Sequence, residues 1–142
     1  MTDFPFEYSF DDLSIGQKAT FTKKIDEKLV DDFAKLSGDL NPLHMNEEYA
    51  ENTKFGKRVC HGMLLASFLS QLVGMYLPGK NSLYFSQSLN FRNPCLVGDE
   101  IVVKGEIIEK KSSTKFLTLK TTIYNQNDIC LVDGIGKVIL RE

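Results

Sequence analysis

The chain has 142 residues, which is long enough for one compact domain with a real core but too short for a catalytic domain and an independent second one. Its formal net charge is -2, and lysine and arginine are scattered throughout, so there is neither a basic face for nucleic acid nor an acidic tail. The N-terminus is acidic and polar where a secretory signal needs a basic start and an apolar run. We therefore expect a single cytosolic domain that does not bind polyanions.

The cysteines and histidines argue against a metal centre. Cys60, Cys95 and Cys130 are widely spaced and form no CxxC pair, so neither a disulfide framework nor a zinc cluster is indicated. We interpret them as buried free thiols. The two histidines of the chain lack a metal-ligand pattern. No metal site and no cofactor are expected.

The first predicted elements are a strand and an amphipathic helix. Residues 21–25 are typical of a short edge strand, and Asp26 is a plausible N-cap for the helix that follows. The apolar residues of that helix recur at helical spacing: Leu29, Val30, Phe33 and Leu36. Gly38 supplies the signal that ends it.

An ordered turn is predicted next. Pro42 disfavours helical geometry at Asn41, so residues 39–44 should not continue the preceding helix. Asn46, with two glutamates after it, is typical of the cap and acidic first turn of a short second helix. Asp39 and His44 would then lie on a loop held between two helices.

The run from residue 62 to 77 is apolar on nearly every side. Its polar side chains are Ser67, Ser70 and Gln71. This pattern predicts a helix that is buried all round, and the run is too short and too interrupted for a confident membrane span.

After this helix the hydrophobic period changes to two. Leu83, Phe85, Leu89 and Phe91 alternate with polar residues or tyrosine, so one face of this strand region should pack on the buried helix. Three further strand-like runs follow, at residues 100–110, 115–124 and 129–140, and turn formers separate them. They predict an antiparallel meander in one sheet. An α+β fold of this kind leaves little core beyond the helix, which favours a homodimer with continuous or opposed sheets.

Three segments resemble a known family in matching order. They are SGDLNPLH (37–44), HGMLLASFLS (61–70) and GKNSLYFSQSLNFRNPCLVGDEI (79–101), and the resemblance runs from about Ile15 to the C-terminus. Together they resemble the MaoC-like, R-specific enoyl-CoA hydratases. The resemblance implies a hot-dog fold, in which an antiparallel sheet wraps a long central helix, as a single domain over residues 1–142. It also implies reversible hydration of a trans-2-enoyl-CoA to the (R)-3-hydroxyacyl-CoA.

The resemblance also implies roles for five residues. Asp39 and His44 match the catalytic pair, and Asn41 matches the residue that orders their loop. Gly62 matches the glycine whose backbone N–H points at the thioester oxygen, and Ser70 matches a hydroxyl near the pocket. This chemistry needs a base for water, an acid for the α-carbon and donors for an enolate-like oxygen, which two side chains and a helix N-terminus provide without a cofactor.

Other readings of the same residues stay open. An aspartate five residues before a histidine is more often part of a cap or turn, His61 is expected to bond a loop carbonyl, and Ser70 to bond a carbonyl one turn back. Four basic residues can be either contacts for coenzyme A phosphates or solvated surface: Lys54, Lys57, Arg58 and Lys80. The rival functions are an acyl-carrier-protein dehydratase, a hot-dog thioesterase and a non-catalytic acyl-thioester-binding subunit.

Overall fold

The computed structural model describes residues 3–141. A turn of 3-10 helix, Phe10–Asp12, precedes the first strand. The helices are α1 (Glu27–Ser37), α2 (Pro42–Met45), α3 (Glu47–Glu51) and α4 (Gly62–Gln71), and a π-helical turn, Leu72–Tyr76, continues α4. The strands are β1 (Lys18–Lys24), β2 (Ser82–Gln87), β3 (Asn90–Phe91), β4 (Glu100–Lys111), β5 (Phe116–Tyr124) and β6 (Cys130–Leu140).

All six strands belong to one antiparallel sheet. Its order is β1-β4-β5-β6-β2, and the short β3 also pairs with β6. Strands β4, β5 and β6 are sequential neighbours, which confirms the predicted meander. The α+β class is likewise confirmed, with α4 as the central helix of the sheet.

The core lies between α4 and the sheet. Leu65, Phe68 and Leu69 of α4 are buried in the same cluster as inward-facing residues of the strands. Those strand residues are Ile101, Val103, Ile123, Leu131 and Val132. A second cluster joins the π-helical turn to the 3-10 helix and to the other end of the sheet. The helix is thus fixed along its length, and its first residue is held at a defined place.

The prediction that the central helix is buried all round is wrong at one face. Met63 is 57% exposed, and Ser70 is exposed too. The sheet covers one side of the helix, and no other described layer covers the opposite side.

No helix within residues 3–141 has both the length and the apolar character needed to cross a membrane.

The predicted inner face of the strand region after the helix is also wrong, except at Leu89, which packs on the core. Leu83, Phe85 and Phe91 are more than half exposed. Tyr84 points inward instead, and burial raises its pKa to about 12. A β-bulge between Tyr84 and Ser86 breaks the period of two on which the prediction depended.

Two smaller expectations are corrected by the fold. Strand β1 begins at Lys18, three residues before the predicted start, because Lys18 already pairs with Glu106 of β4. The cysteines are free thiols as expected, but Cys130 is only half-buried, whereas Cys60 and Cys95 are buried. A hydrogen bond between Cys60 and Cys95, together with burial, raises the pKa of Cys95 and keeps it a thiol.

Candidate active site

The loop that carries Asp39 begins where α1 ends. Asp26 caps α1 through a 2.9 Å bond from the Leu29 N–H, and Gly38 ends it with a φ of 80°, which favours glycine. Both features confirm the sequence prediction. The chain then turns sharply, and Asp39 accepts a hydrogen bond from the N–H of Asn41 at 3.2 Å. This bond closes the turn around the carboxylate.

Asn41 orders the next step of the chain. Its side chain accepts a bond from the Leu43 N–H at 3.0 Å and thereby caps α2, whose first residue is Pro42. Proline suits that position because the first helical N–H has no partner inside the helix. The predicted turn over residues 39–44 is therefore correct for Asp39 to Asn41 but wrong for His44, which lies on α2. Asn46 then caps α3, as predicted.

Asp39 and His44 approach each other across this turn. The distance from His44 Nε2 to Asp39 Oδ2 is 3.8 Å, and the His44 side chain is 17% exposed whereas that of Asp39 is 49% exposed. His44 Nδ1 lies 2.6 Å from the carbonyl oxygen of Val59. Because a carbonyl can only accept, Nδ1 carries a proton. In the neutral ring Nε2 therefore offers a lone pair on the side of Asp39.

His61 completes the cluster, a position that the sequence pattern does not predict. Its Nε2 lies 3.0 Å from the backbone carbonyl of Asp39, so it bonds a loop carbonyl as expected. Its ring also stacks on that of His44, with the centroids 4.0 Å apart. Side-chain ligand atoms of Asp39, His44 and His61 all lie within 4.8 Å of one another. The expected absence of a metal at this cluster thus stays a prediction.

Gly62 is the first residue of α4, next to this cluster. The first N–H groups of a helix have no partner inside it, so they are available to an oxygen that carries negative charge. A Cβ atom at Gly62 would lie 2.8 Å from two ring carbons of Phe91, closer than real contacts allow. Gly62, His44 and Phe91 line one open depression with a volume of about 420 Å³.

Ser70 lies farther along α4, in a second depression between the helix and β2. Phe85 and Gln87 line it from the strand, and Met63 borders both this depression and that of His44. The expected bond to a carbonyl one turn back is made by Ser67, which donates to the Leu64 carbonyl at 2.6 Å. Ser70 is therefore in a groove that leads away from His44, with an exposed hydroxyl.

Arg58 is buried and bonds other parts of the chain, so its role is structural. It is 7% exposed, its guanidinium bonds Asp31 at 2.6 Å, and its Nε donates to the carbonyl of His44. The neighbouring Val59 donates to the Leu43 carbonyl and accepts from His44. Residues 58–61 thus hold α2 and the Asp39 loop from one side, an arrangement that no spacing in the sequence indicates. Lys80 is exposed, and its Nζ lies 3.7 Å from Oε1 of Glu7.

Comparison with known proteins gives matches over most of the chain. The sequence pattern described as MaoC like domain matches residues 12–127. An (R)-specific enoyl-CoA hydratase from Aeromonas caviae is 42% identical over 128 residues, which are 90% of this chain and 96% of that protein. A mitochondrial 3-hydroxyacyl-acyl-carrier-protein dehydratase from Arabidopsis thaliana is 32% identical over 131 residues, which are 90% of this chain and 78% of that protein.

Solved structures agree with the sequence matches. The unliganded R-hydratase PhaJ1 from Pseudomonas aeruginosa aligns with a TM-score of 0.91 at 35% identity, over 94% of this chain and 85% of that one. The R-hydratase from Aeromonas caviae aligns with a TM-score of 0.88 over 90% of this chain and 97% of that one. These likenesses confirm the expected hot-dog fold.

Proposed function

The chain belongs to the MaoC-like domain family, and on that premise we propose that it is an (R)-specific enoyl-CoA hydratase. It adds water reversibly to a trans-2-enoyl-CoA and forms the (R)-3-hydroxyacyl-CoA. The observation that carries the proposal is the pair formed by Asp39 Oδ2 and His44 Nε2, two proton acceptors 3.8 Å apart, of which His44 lines an apolar depression. Two acceptors at this separation can hold one water between them.

The fixed tautomer of His44 supports a role as the base. Since Nδ1 donates to the Val59 carbonyl, the free Nε2 accepts a proton from the water as its oxygen attacks the β-carbon. The carboxylate of Asp39 stabilises the imidazolium that results. The same proton is then available to the α-carbon, so that H and OH add across the double bond and the protein ends in its starting protonation state.

Gly62 supports the other half of the reaction. As the double bond is attacked, negative charge moves to the thioester oxygen. An N–H at the first position of α4, together with the positive end of the helix dipole, stabilises that charge. We assign Asn41 the ordering of the catalytic loop and Ser70 the lining of the acyl groove, with no part in proton transfer.

Exposure of apolar side chains around the site supports a homodimer. Met63, Leu83, Phe85 and Phe91 are each more than 50% exposed. A single chain leaves them in water beside the open face of α4, and a second copy would bury them. In the proposed assembly all 142 residues form one domain per subunit. We place this enzyme in the cytoplasm and in fatty acid metabolism.

A dehydratase acting on acyl-carrier-protein thioesters is the second candidate. The Arabidopsis thaliana relative is named for that activity. The same pair of side chains serves the reverse reaction on either thioester. The two candidate functions therefore differ only in whether coenzyme A or a carrier protein carries the acyl group. Comparing rates with coenzyme A and carrier-protein substrates of one acyl chain separates them.

The test of this proposal is the rate of enoyl-CoA hydration in variants of the pair. Asp39→Asn and His44→Gln should each lower kcat by about 100- to 10,000-fold, and the double variant should lose little more, because both act on one water. Asp32→Asn is the matched control, since that carboxylate pairs with Lys28 on the exposed side of α1. Near-normal rates in either site variant would remove the proposed mechanism. An acyl series of graded length then defines the substrate range.

A further inference from the structure

His61 touches both members of the pair but is not among the residues that line the depression of His44. It is 2% exposed at the N-cap position of α4. Its Nε2 lies 3.0 Å from the Asp39 carbonyl, its ring stacks at an interplanar angle of 27° on His44, and the ring of Phe33 meets it edge-on at 5.0 Å. The imidazole is therefore enclosed between α1, α2 and the Asp39 loop.

The contacts of His61 define its protonation state. The Asp39 carbonyl can only accept, so the proton is on Nε2 and Nδ1 has a lone pair. Nδ1 is buried and has no hydrogen-bond partner among residues 3–141. A second proton there would place an unpaired N–H and a positive charge in a dry site, beside the His44 ring.

The surroundings of His61 shift its pKa in both directions. Burial lowers its pKa most, and the charges of His44 and Arg58 lower it further. The bond to the Asp39 carbonyl and the charge of the Asp39 carboxylate oppose this and raise it. The net direction is downward, so the ring is neutral at neutral pH, and it remains so when His44 takes up a proton.

We propose that His61 is a positioning residue for the catalytic pair: its N–H holds the backbone of Asp39 while its neutral ring backs the imidazole of His44. Through one side chain the two groups that share a water are thus fixed relative to each other. The inference rests on the proposed function of Asp39 and His44. It assigns His61 neither a bond to substrate nor a proton transfer.

Substitution separates the two contacts. His61→Leu removes both, whereas His61→Gln keeps an N–H donor and His61→Phe keeps a ring. Because a displacement of about 1 Å at a reacting centre can cost about 100-fold, we expect kcat to fall about 10- to 100-fold in His61→Leu. The Michaelis constant should stay within about threefold, since the residue does not touch substrate. His61→Gln and His61→Phe should each recover part of kcat.

The matched control is Asp32→Asn, on the helix α1 that packs against His61. The Asp32 carboxylate pairs with Lys28 on the exposed side of that helix and contacts neither Asp39 nor His44. Its kcat should stay within about threefold of the unchanged protein. A folded His61→Leu protein with an unchanged kcat would overturn the inference, and so would a raised Michaelis constant at unchanged kcat, which would make His61 a substrate contact.

A measurement on the unaltered protein does not depend on how the His61 variants fold. The chain has two histidines, so proton–nitrogen correlation spectra of the imidazoles are assigned with His44→Gln. We expect His61 as the neutral Nε2–H tautomer at neutral pH. An Nδ1–H tautomer, or a cation at that pH, would overturn the inference. If Asp39→Asn and His44→Gln are inactive while every His61 variant keeps full rate, the positioning role fails and the proposed function stands. Full rate in Asp39→Asn and His44→Gln would instead contradict the proposed function itself.

Discussion

A methyl group at Gly62 tests whether the start of α4 takes part in catalysis. In Gly62→Ala the new Cβ would lie 2.8 Å from Cδ1 and Cε1 of Phe91. Carbon atoms in good contact are about 3.5 Å or more apart, so either the ring or the helix start must move by about 0.7 Å. The Phe91 ring is 52% exposed and can turn. The fold should therefore survive the substitution.

The expected magnitudes follow from this displacement. Alanine favours the helix over glycine by roughly 0.5–1 kcal/mol, whereas overpacking costs about 1–3 kcal/mol, so stability should fall by no more than about 2.5 kcal/mol. The added methyl narrows the approach to the Gly62 N–H whichever group moves, and any shift of the helix start also displaces that donor, so kcat should fall by about 10- to 100-fold. That loss is about 1.4–2.7 kcal/mol of transition-state stabilisation.

The assay is steady-state hydration of crotonyl-CoA, with thermal unfolding measured in parallel. Gly74→Ala is the control, because a Cβ there meets no described atom within 4 Å in the helical turn that continues α4. Phe91→Ala in the Gly62→Ala protein should restore much of the lost rate, and the double-mutant cycle measures that coupling. A Gly62→Ala protein with full rate and no coupling to Phe91 would refute the reasoning.

Three other outcomes are expected. Arg58→Met should lower the free energy of unfolding in urea by about 2–4 kcal/mol, because it removes bonds to Asp31 and the His44 carbonyl, and a loss below about 0.5 kcal/mol would contradict this. Because the pKa of His61 is lowered by burial, the unfolded chain binds more protons, so stability should fall as pH drops below about 6.5. That fall should be shallower in His61→Gln, and an equal slope would exclude His61 as its source. The unchanged protein should sediment as a dimer and Phe85→Lys as a monomer, whereas an active monomeric parent would contradict the assembly.

Local signals in the sequence predict the elements around the site well. The caps at Asp26 and Asn46 and the stop at Gly38 depend on bonds within a few residues, and all three are confirmed. The central helix and the meander follow from hydrophobic period over long runs. These features need no knowledge of distant parts of the chain.

What could not be predicted depends on distant contacts. His61 reaches the Asp39 carbonyl across 22 positions of sequence, and Arg58 reaches Asp31 across 27. No periodicity encodes either distance. The sequence predicts the wrong face for β2 because apolar residues occur at both phases. The β-bulge and core packing place Tyr84, and not Phe85, on the inner face. Only the family resemblance indicates Asp39 and His44 as a catalytic pair, since their spacing alone is typical of a capped turn.

The most direct test of the central claim follows the double bond and the thioester bond of one substrate in the same reaction. With crotonyl-CoA, attack of water on the β-carbon should remove the conjugated enoyl-thioester absorbance without release of free thiol, and chiral analysis should return the (R)-3-hydroxy product. In deuterated water that product should carry one deuteron at the α-carbon. Release of free coenzyme A at the rate of enoyl consumption would instead place the attack at the thioester carbonyl and make the protein a thioesterase.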